Sequence, residues 1–123
     1  MDWEVIVVEP ALSWLHDLRH SDRATLVQIS KAITALRREG PAMGRPLVDT
    51  VRGSRLSNLK ELRPGSAGGS EVRLLFVFDP LRRAVFLVGG DKAGEWQGWY
   101  RSAIPLAEKA YADYLTEGEE GTP

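Results

Sequence analysis

Basic and phenolic side chains recur at the ends of consecutive predicted strands, and just beyond them, between residues 59 and 100. Guanidinium and ammonium groups bind phosphate, and positioned guanidinium donors stabilise the charge that develops on phosphoryl oxygens. Neither Cys nor His occurs in this stretch. The pattern therefore favours binding and cleavage of a phosphodiester. The candidate catalytic residues are Glu61, Arg63, Arg73, Lys92 and Tyr100.

RNA is the substrate class that suits this set. The ribose 2′-hydroxyl attacks the adjacent phosphorus and expels the 5′-oxygen, so one group must accept a proton and another must supply one. Glu61, Lys92 and Tyr100 are the candidates for these transfers. We expect nearby arginines to lower the pKa of Lys92 through like charge and that of Tyr100 by stabilising its phenolate.

Arg73 interrupts the apolar run of a predicted strand. An Arg in such a strand costs free energy unless it is paired or faces a solvated site. Two interpretations stand: an ion pair with Glu61 across the hairpin, or a contact with a substrate phosphate. Strand alternation places Glu61 and Arg63 on one face and Lys60 on the other.

A second group of residues is a candidate for binding RNA away from the reacting atoms. Trp99, like Tyr100, is either a hydrophobic anchor or a platform on which an unpaired base stacks. Three arginines lie in a loop rich in Pro and Gly that precedes the second strand. The candidate RNA-binding residues are Arg45, Arg52, Arg55, Lys60 and Trp99.

Charge is unevenly distributed along a chain whose formal net charge is −1. Residues 1–36 carry three basic and five acidic side chains, residues 37–92 eleven and six, and residues 93–123 two and six. The middle segment is thus basic between acidic ends. It is interpreted either as a solvated surface or as a local site for an anionic ligand.

The sequence excludes several classes of protein. It has no Cys, which removes disulfides, thiolate metal sites and a Cys nucleophile. His16 and His20 have polar neighbours and are interpreted as solvated. The scattered carboxylates near the sheet offer no convergent ligand set, so we expect neither a metal nor a cofactor. The sequence shows no apolar run as long as a membrane span and no basic leader, so we expect a cytoplasmic protein. Its 123 residues fit one domain.

Two helices follow a first strand at Trp3–Val8. Pro10 suits the first turn of one helix, and Ser21 is the predicted N-cap of the next. Apolar residues spaced by three and four from Leu26 onward give the second helix one buried stripe. We expect the helices to form a hairpin and residues 41–57 to form an extended loop.

Three further strands are predicted at Asn58–Arg63, Glu71–Phe78 and Arg83–Val88, with the last two forming a tight hairpin. Gly89 and Gly90 then lead the chain out of the sheet. Residues 94–102 form a short helix or an ordered loop, and a C-terminal helix follows.

The predicted order is β-α-α-β-β-β-α. This is an α+β fold with an antiparallel sheet, the first strand at its edge, packed against helices. Residues 1–116 form the domain and residues 117–123 an acidic flexible tail.

The chain resembles the RelE superfamily, and its HigB-like branch more closely, over nearly its whole length, roughly residues 3–115. Each mark is short, and the order and spacing after two helices carry the resemblance. The marks are Leu59–Arg63 (L-x-E-L-R), a Gly-rich turn at 64–70, Val72–Phe76 (V-R-L-L-F), Asp79–Arg82 (D-P-x-R) and Val88–Lys92 (V-G-G-D-K) leading to Trp99 and Tyr100.

The resemblance implies a RelE-like domain and the toxin of a type II toxin–antitoxin module. Such toxins cleave mRNA without metal, usually on the ribosome, and are neutralised by a cognate antitoxin, often a helix-turn-helix DNA-binding protein. Arg73 matches the arginine that contacts the scissile phosphate, and Arg63 matches the basic residue ending the second strand. Lys92 matches a basic residue after the last strand. Tyr100 approximates a late aromatic used in proton transfer or stacking.

Some positions depart from the family pattern. Glu61 occupies a position that is Lys in some members and acidic in others. The chain has no late His, and its C-terminal region is acidic. Two alternatives therefore remain: a ParE-like poison of DNA gyrase without nuclease activity, and a degenerate toxin that acts only as an antitoxin-binding module.

Overall fold

A computed structural model describes residues 2–65 and 71–120. Within these ranges helices lie on both sides of one mixed β-sheet, which agrees with the predicted α+β fold. The elements are β1 (Glu4–Val7), α1 (Ala11–Ser21), α2 (Arg23–Glu39), a 3₁₀ turn (Gly40–Ala42), β2 (Val48–Thr50), β3 (Lys60–Leu62), β4 (Val72–Asp79), β5 (Arg83–Asp91) and α3 (Trp96–Glu120).

The sheet has the strand order β1-β5-β4-β3-β2. From β2 to β5, each strand is antiparallel to the next along the chain, and the predicted β4–β5 hairpin is present. The first strand lies at the sheet edge as expected, but it runs parallel to β5. Two helices intervene between β1 and the rest of the sheet, which gives the chain the length that a parallel connection needs.

Two apolar layers cover the two faces of the sheet. Leu74, Phe76 and Phe86 face α1 and α2, and the two phenyl rings stack with their centroids 5.0 Å apart. Leu75 and Val85 face α3 on the other side. Successive side chains of β4 therefore point alternately into the two apolar layers, as expected for a strand that is buried on both faces.

The start of α2 differs from the prediction by one residue. Ser21 is the last residue of α1, and Asp22 is the N-cap of α2. The Asp22 carboxylate accepts hydrogen bonds from both the backbone N–H and the hydroxyl of Thr25, at 3.1 and 2.6 Å. Asp22 can receive two bonds at once, which explains why it, rather than Ser21, caps the helix.

A strand lies inside the segment predicted to be an extended loop. β2 covers only Val48–Thr50 and pairs with β3, with Val48 opposite Leu62. Three residues are too few to show a period of two, so the pattern could not indicate this strand. The observed order is accordingly β-α-α-β-β-β-β-α.

β5 continues to Asp91, so the prediction that Gly89 and Gly90 leave the sheet is wrong. A Cβ atom at Gly89 would overlap the ring of Trp14 from α1, and one at Gly90 would overlap the ring of Trp99 from α3. Glycine permits this close approach of an indole to the strand.

α3 begins at Trp96, so most of the segment left open between short helix and loop is helical. Pro105 lies inside the helix at an exposed position, and the helix lacks the hydrogen bond that a backbone N–H at this residue would donate. The helix continues through residues 117–120 of the predicted tail. Residues 121–123, and residues 66–70 of the predicted Gly-rich turn, lie outside the described residues.

Candidate active site

Glu61 is the centre of a buried ionic cluster. Its side chain is only 3% exposed, and its Oε2 accepts a hydrogen bond from Arg63 Nε at 2.7 Å. Arg73 Nε lies 3.6 Å from the same oxygen, and the Tyr100 hydroxyl donates to Oε1. The structure therefore brings together four of the five predicted catalytic residues around one carboxylate.

Strand register explains why these side chains meet. Glu61 pairs with Leu75, and Arg63 and Arg73 each lie two positions from that pair, so all three side chains point to the α3 face. α3 then places Tyr100 above them. The ion pair of Arg73 with Glu61, one of the two interpretations of this arginine, is present. Arg73 remains 15% exposed, and its Nη1 donates to the Val72 carbonyl at 2.8 Å.

The cluster extends outward through β2. Arg63 Nη2 lies 3.1 Å from Asp49 Oδ2, and Arg45 contacts the same oxygen at 3.1 Å. The Thr50 backbone N–H and the Arg45 guanidinium hold the pKa of the Asp49 carboxyl below its usual range. Sequence reasoning missed Asp49 because the strand that presents it was not predicted.

A cleft of ≈ 470 Å³ opens beside Glu61 between the sheet edge and α3. Gln97 and Arg101 were missed as cleft residues. With Tyr100 and Ile104 they follow the spacing i, i+3, i+4, i+7 that defines one helix face, a signal readable only once the helix is known to start at Trp96. The lining residues are Thr50, Val51, Arg52, Glu61, Arg63, Gln97, Tyr100, Arg101 and Ile104.

The pKa of Tyr100 is raised above its usual range, opposite to the expected direction. Burial is the largest cause, and the hydrogen bond to Glu61 and the negative charge of that carboxylate add to it. Arg73 and Arg63 act in the lowering direction with smaller effect. Because a carboxylate separates the phenol from the arginines, Tyr100 is a neutral hydrogen-bond donor at physiological pH.

Lys92 and Trp99 lie next to this phenol. Lys92 Nζ lies 5.7 Å from the centroid of the Tyr100 ring, within the range of a cation–π contact. Trp99 meets the same ring edge-on at 5.1 Å and is half-buried against Gly90. The anchoring interpretation of Trp99 therefore describes its position in the free protein.

The other predicted RNA-binding residues are dispersed. Arg52 lines the cleft, whereas Arg45 does not and pairs with Asp49. Arg55 pairs with Glu108 of α3. Lys60 points to the opposite sheet face, as predicted, and its Nζ donates to Thr50 Oγ1 at 2.9 Å.

Metal-binding clusters and membrane-spanning helices are both absent from residues 2–65 and 71–120. No group of three or more His, Asp or Glu side chains is arranged there to hold a metal ion. None of the helices in these ranges is both long and apolar enough to cross a bilayer.

Comparison with known sequences identifies relatives of this chain. The family model described as "Phage derived protein Gp49-like (DUF891)" matches residues 13–112. "Putative toxin HigB2" of Mycobacterium tuberculosis is 52% identical over 94% of this chain, which spans 56% of that protein's length. "Putative toxin HigB3" of the same organism is 41% identical over 95% of this chain and 97% of its own length.

Solved structures share the fold at low sequence identity. A mutant of E. coli toxin RelE in the free state superposes with a TM-score of 0.58 at 15% identity, covering 92% of this chain and 98% of that one. The YoeB dimer from Staphylococcus aureus gives 0.56 at 14% identity, covering 70% and 92%. The predicted RelE-like fold is confirmed, and the sequence matches show that this chain belongs to the Gp49-like family and is related to proteins named as putative HigB toxins.

Proposed function

We propose that this protein is the toxin of a type II toxin–antitoxin module and that it cleaves mRNA without a metal ion. The observation that supports this most is the buried carboxylate of Glu61, held by two guanidinium groups and a phenol at the side of an open cleft. The names of the HigB relatives support the toxin role. A cognate antitoxin and the ribosome are the partners that follow from it.

The arginines are the proposed phosphate ligands. Arg63 is 34% exposed and faces the cleft, so its remaining N–H groups can reach a phosphate while Nε stays on Glu61. Arg73 is less exposed, at 15%, and lies beside Glu61 rather than among the residues that line the cleft. Their charge stabilises the non-bridging oxygens, which become more negative as the 2′-oxygen attacks phosphorus.

Proton transfer is assigned to Glu61 and Lys92. Glu61 accepts the proton of the 2′-hydroxyl, and Lys92 supplies a proton to the departing 5′-oxygen. Tyr100 donates its hydrogen bond to Glu61 and so fixes the rotamer of the carboxylate. The products are a 2′,3′-cyclic phosphate and a new 5′-hydroxyl, which balances the internal attack.

Brief induction of the protein in a bacterial host tests the proposal. Wild type, Arg73→Ala and Arg19→Ala are compared by mapping RNA 5′ ends across the transcriptome. Arg19 is a matched control because it is an exposed arginine of α1, on the other face of the sheet. We expect new ends within coding regions for wild type and Arg19→Ala, and none for Arg73→Ala.

The same experiment separates the alternatives. New ends in codon register support cleavage on the ribosome. Growth arrest without new ends, accompanied by gyrase-dependent DNA damage, would instead identify a ParE-like poison. No arrest at all would indicate a module that only binds an antitoxin. A folded Arg73→Ala protein that still cleaves RNA would contradict the assignment of the site.

A further inference from the structure

The segment between β2 and β3, residues 51–59, forms one wall of the cleft through Val51 and Arg52, while α3 forms the facing wall. The Val51 N–H donates to the Leu59 carbonyl at 2.9 Å, which closes the base of this segment. Gly53 has a φ of 87°, a left-handed conformation that glycine adopts without strain. Within residues 54–58, Leu56 packs against the apolar core on the α3 side, which leaves the polar groups of Ser54 and Arg55 in need of a contact.

Glu108 of α3 supplies that contact. Its Oε2 accepts hydrogen bonds from the Arg55 backbone N–H at 2.7 Å and from Ser54 Oγ at 2.9 Å. Its Oε1 accepts from Arg55 Nε at 3.3 Å. Ser54 Oγ in turn accepts from the Leu56 N–H at 3.0 Å, so one carboxylate organises three consecutive residues.

The burial of Glu108 and Arg55 shows which of these bonds contributes most to holding the segment. The Glu108 side chain is 12% exposed, whereas that of Arg55 is 88% exposed. An ion pair with such an exposed arginine contributes little, because water competes for both groups. The bonds to the Arg55 N–H and the Ser54 hydroxyl are shorter, and the first of them is the largest cause that lowers the pKa of Glu108.

We propose that Glu108 is a positioning residue that sets the separation of the two cleft walls by holding segment 51–59 against α3. This inference rests on the proposed function, because the cleft is there the place where RNA binds. Glu108 lies four residues beyond Ile104, the last cleft residue on α3, and does not itself line the cleft. It acts on substrate through Arg52, whose position depends on the fixed segment.

Three substitutions remove different parts of this contact. Glu108→Ala removes all the hydrogen bonds that the Glu108 carboxylate makes with Ser54 and Arg55. Glu108→Gln keeps an oxygen that can accept from the Arg55 N–H and from Ser54, but loses the charge that faces the guanidinium. Arg55→Ala removes only the exposed ion pair. Asp113→Asn is the matched control, since this α3 carboxylate pairs with Lys109 and is 58% exposed.

Two readouts test the role. Amide hydrogen exchange at residues 54–58 reports the contact directly, and we expect it to be about tenfold faster in Glu108→Ala, because a segment with few remaining bonds opens locally. Kinetics on a short single-stranded RNA should show KM raised about tenfold with kcat nearly unchanged, since misplacing a binding group weakens substrate positioning. Glu108→Gln should recover most of both effects, and Asp113→Asn should resemble wild type in both. Arg55→Ala should resemble wild type in hydrogen exchange, because the backbone N–H at position 55 still donates to Glu108.

The outcomes separate this inference from the proposed function. Unchanged exchange in Glu108→Ala would overturn the inference whether or not the protein cleaves RNA. Faster exchange with unchanged KM would also overturn it, because the segment would then not shape the cleft. If wild type does not cleave the isolated RNA, binding of the same RNA by wild type and Glu108→Ala, followed by fluorescence anisotropy, still decides the inference. The proposed function is then decided separately by the RNA 5′ ends mapped in the host.

Discussion

At the residue scale, the buried charges of the cluster around Glu61 stabilise one another. Glu61 is 3% exposed and contacts two guanidinium groups that are 34% and 15% exposed. Removing the shared carboxylate leaves two partly buried cations facing each other. Breaking a buried ion pair from one side is more costly than the pair is worth, because the remaining charge stays desolvated.

We therefore predict that Glu61→Ala lowers the free energy of unfolding by about 3 kcal/mol, and that Glu61→Gln lowers it less because the amide oxygen still accepts a hydrogen bond. Urea unfolding at neutral pH measures both. The double variant Glu61→Ala, Arg73→Met should recover part of the loss, since it removes one of the unpaired cations. A double variant less stable than Glu61→Ala alone would show that Arg73 is stabilised by other contacts.

Tyr100→Phe tests the contribution of the Tyr100 hydroxyl separately from the rest of the cluster. The ring and its contacts with Trp99 and Lys92 stay, and only the hydrogen bond to Glu61 is lost. We expect RNA cleavage to slow by about a hundredfold, the loss that misplacing a reacting group causes, because Glu61 loses the bond that fixes its rotamer. The melting temperature should fall slightly, because a buried carboxylate oxygen loses its donor. Cleavage at the wild-type rate would remove Tyr100 from the mechanism.

The raised pKa of Tyr100 determines the pH at which its hydrogen bond to Glu61 is lost. Because the pKa of Tyr100 is raised by burial and by Glu61, its stabilising bond is fully present below the ordinary tyrosine pKa of about 10 and is lost only as pH rises through the folded pKa. Cleavage should therefore show no loss from tyrosine ionisation between neutral pH and pH 9. A fall in the wild-type rate over this range that is absent in Tyr100→Phe would contradict the raised pKa.

At the scale of elements, Asp79 joins the β4–β5 turn to the end of α3. It is buried and accepts hydrogen bonds from Arg83 Nη2 at 2.8 Å, from the Tyr114 hydroxyl at 3.1 Å and from the Leu81 N–H. Burial alone would raise the pKa of Asp79, but these three bonds together lower it. A lowered carboxyl pKa contributes stability above the unfolded pKa and loses it as pH falls through the folded value.

We predict that Asp79→Asn lowers the free energy of unfolding by about 2 kcal/mol at pH 7, as expected for charge-assisted bonds to a buried acceptor. The difference from wild type should shrink as pH falls below about 4, where the carboxyl of the unfolded chain takes up its proton, and should disappear as pH falls through the lower pKa of the folded state. Chemical unfolding measured across this range checks it, with Asp17→Asn as an exposed control. A difference that does not depend on pH would exclude the ionised carboxylate as its source.

Two glycines of the C-terminal half provide a matched pair of substitutions. A Cβ atom at Gly90 would overlap the Trp99 indole that supports Tyr100, whereas one at Gly98 in α3 meets nothing within 4 Å. We expect Gly90→Ala to cost about 1–3 kcal/mol, as overpacking does, and Gly98→Ala to stabilise by about 0.5–1 kcal/mol through helix propensity. Thermal unfolding of both variants measures this contrast, and equal effects would contradict the packing of Trp99 on β5.

The elements also show how far sequence reasoning reaches. The β4–β5 hairpin and the shared face of Glu61 and Arg63 were predicted, because strand alternation is a local rule that the sequence displays. β2 and the continuation of β5 through Gly90 were not, because each depends on a partner distant in sequence: β3 for Val48 and Trp99 for Gly90. For the same reason Asp49 and Glu108 could not be found, since their roles exist only after the sheet edge and α3 are assembled.

At the scale of the whole molecule, the chain presents a local basic site on a protein with a net charge of −1. Arg52, Arg63 and Arg101 line the cleft, against the single carboxylate of Glu61. A phosphate backbone in the cleft thus meets a local excess of positive charge, while the acidic ends of the chain limit attraction at longer range. Salt screens the long-range part first, because the Debye length at physiological ionic strength is about 8 Å.

The salt dependence of RNA binding should therefore reflect the cleft alone. If three arginines each neutralise one phosphate of a single strand, the logarithm of the association constant should fall with the logarithm of salt concentration with a slope of roughly −2. Arg52→Ala and Arg101→Ala should each make that slope less steep by about 0.7, whereas Arg19→Ala on the opposite layer should leave it unchanged. A slope insensitive to both cleft substitutions would place the RNA elsewhere on the protein, and the cluster around Glu61 would then be structural.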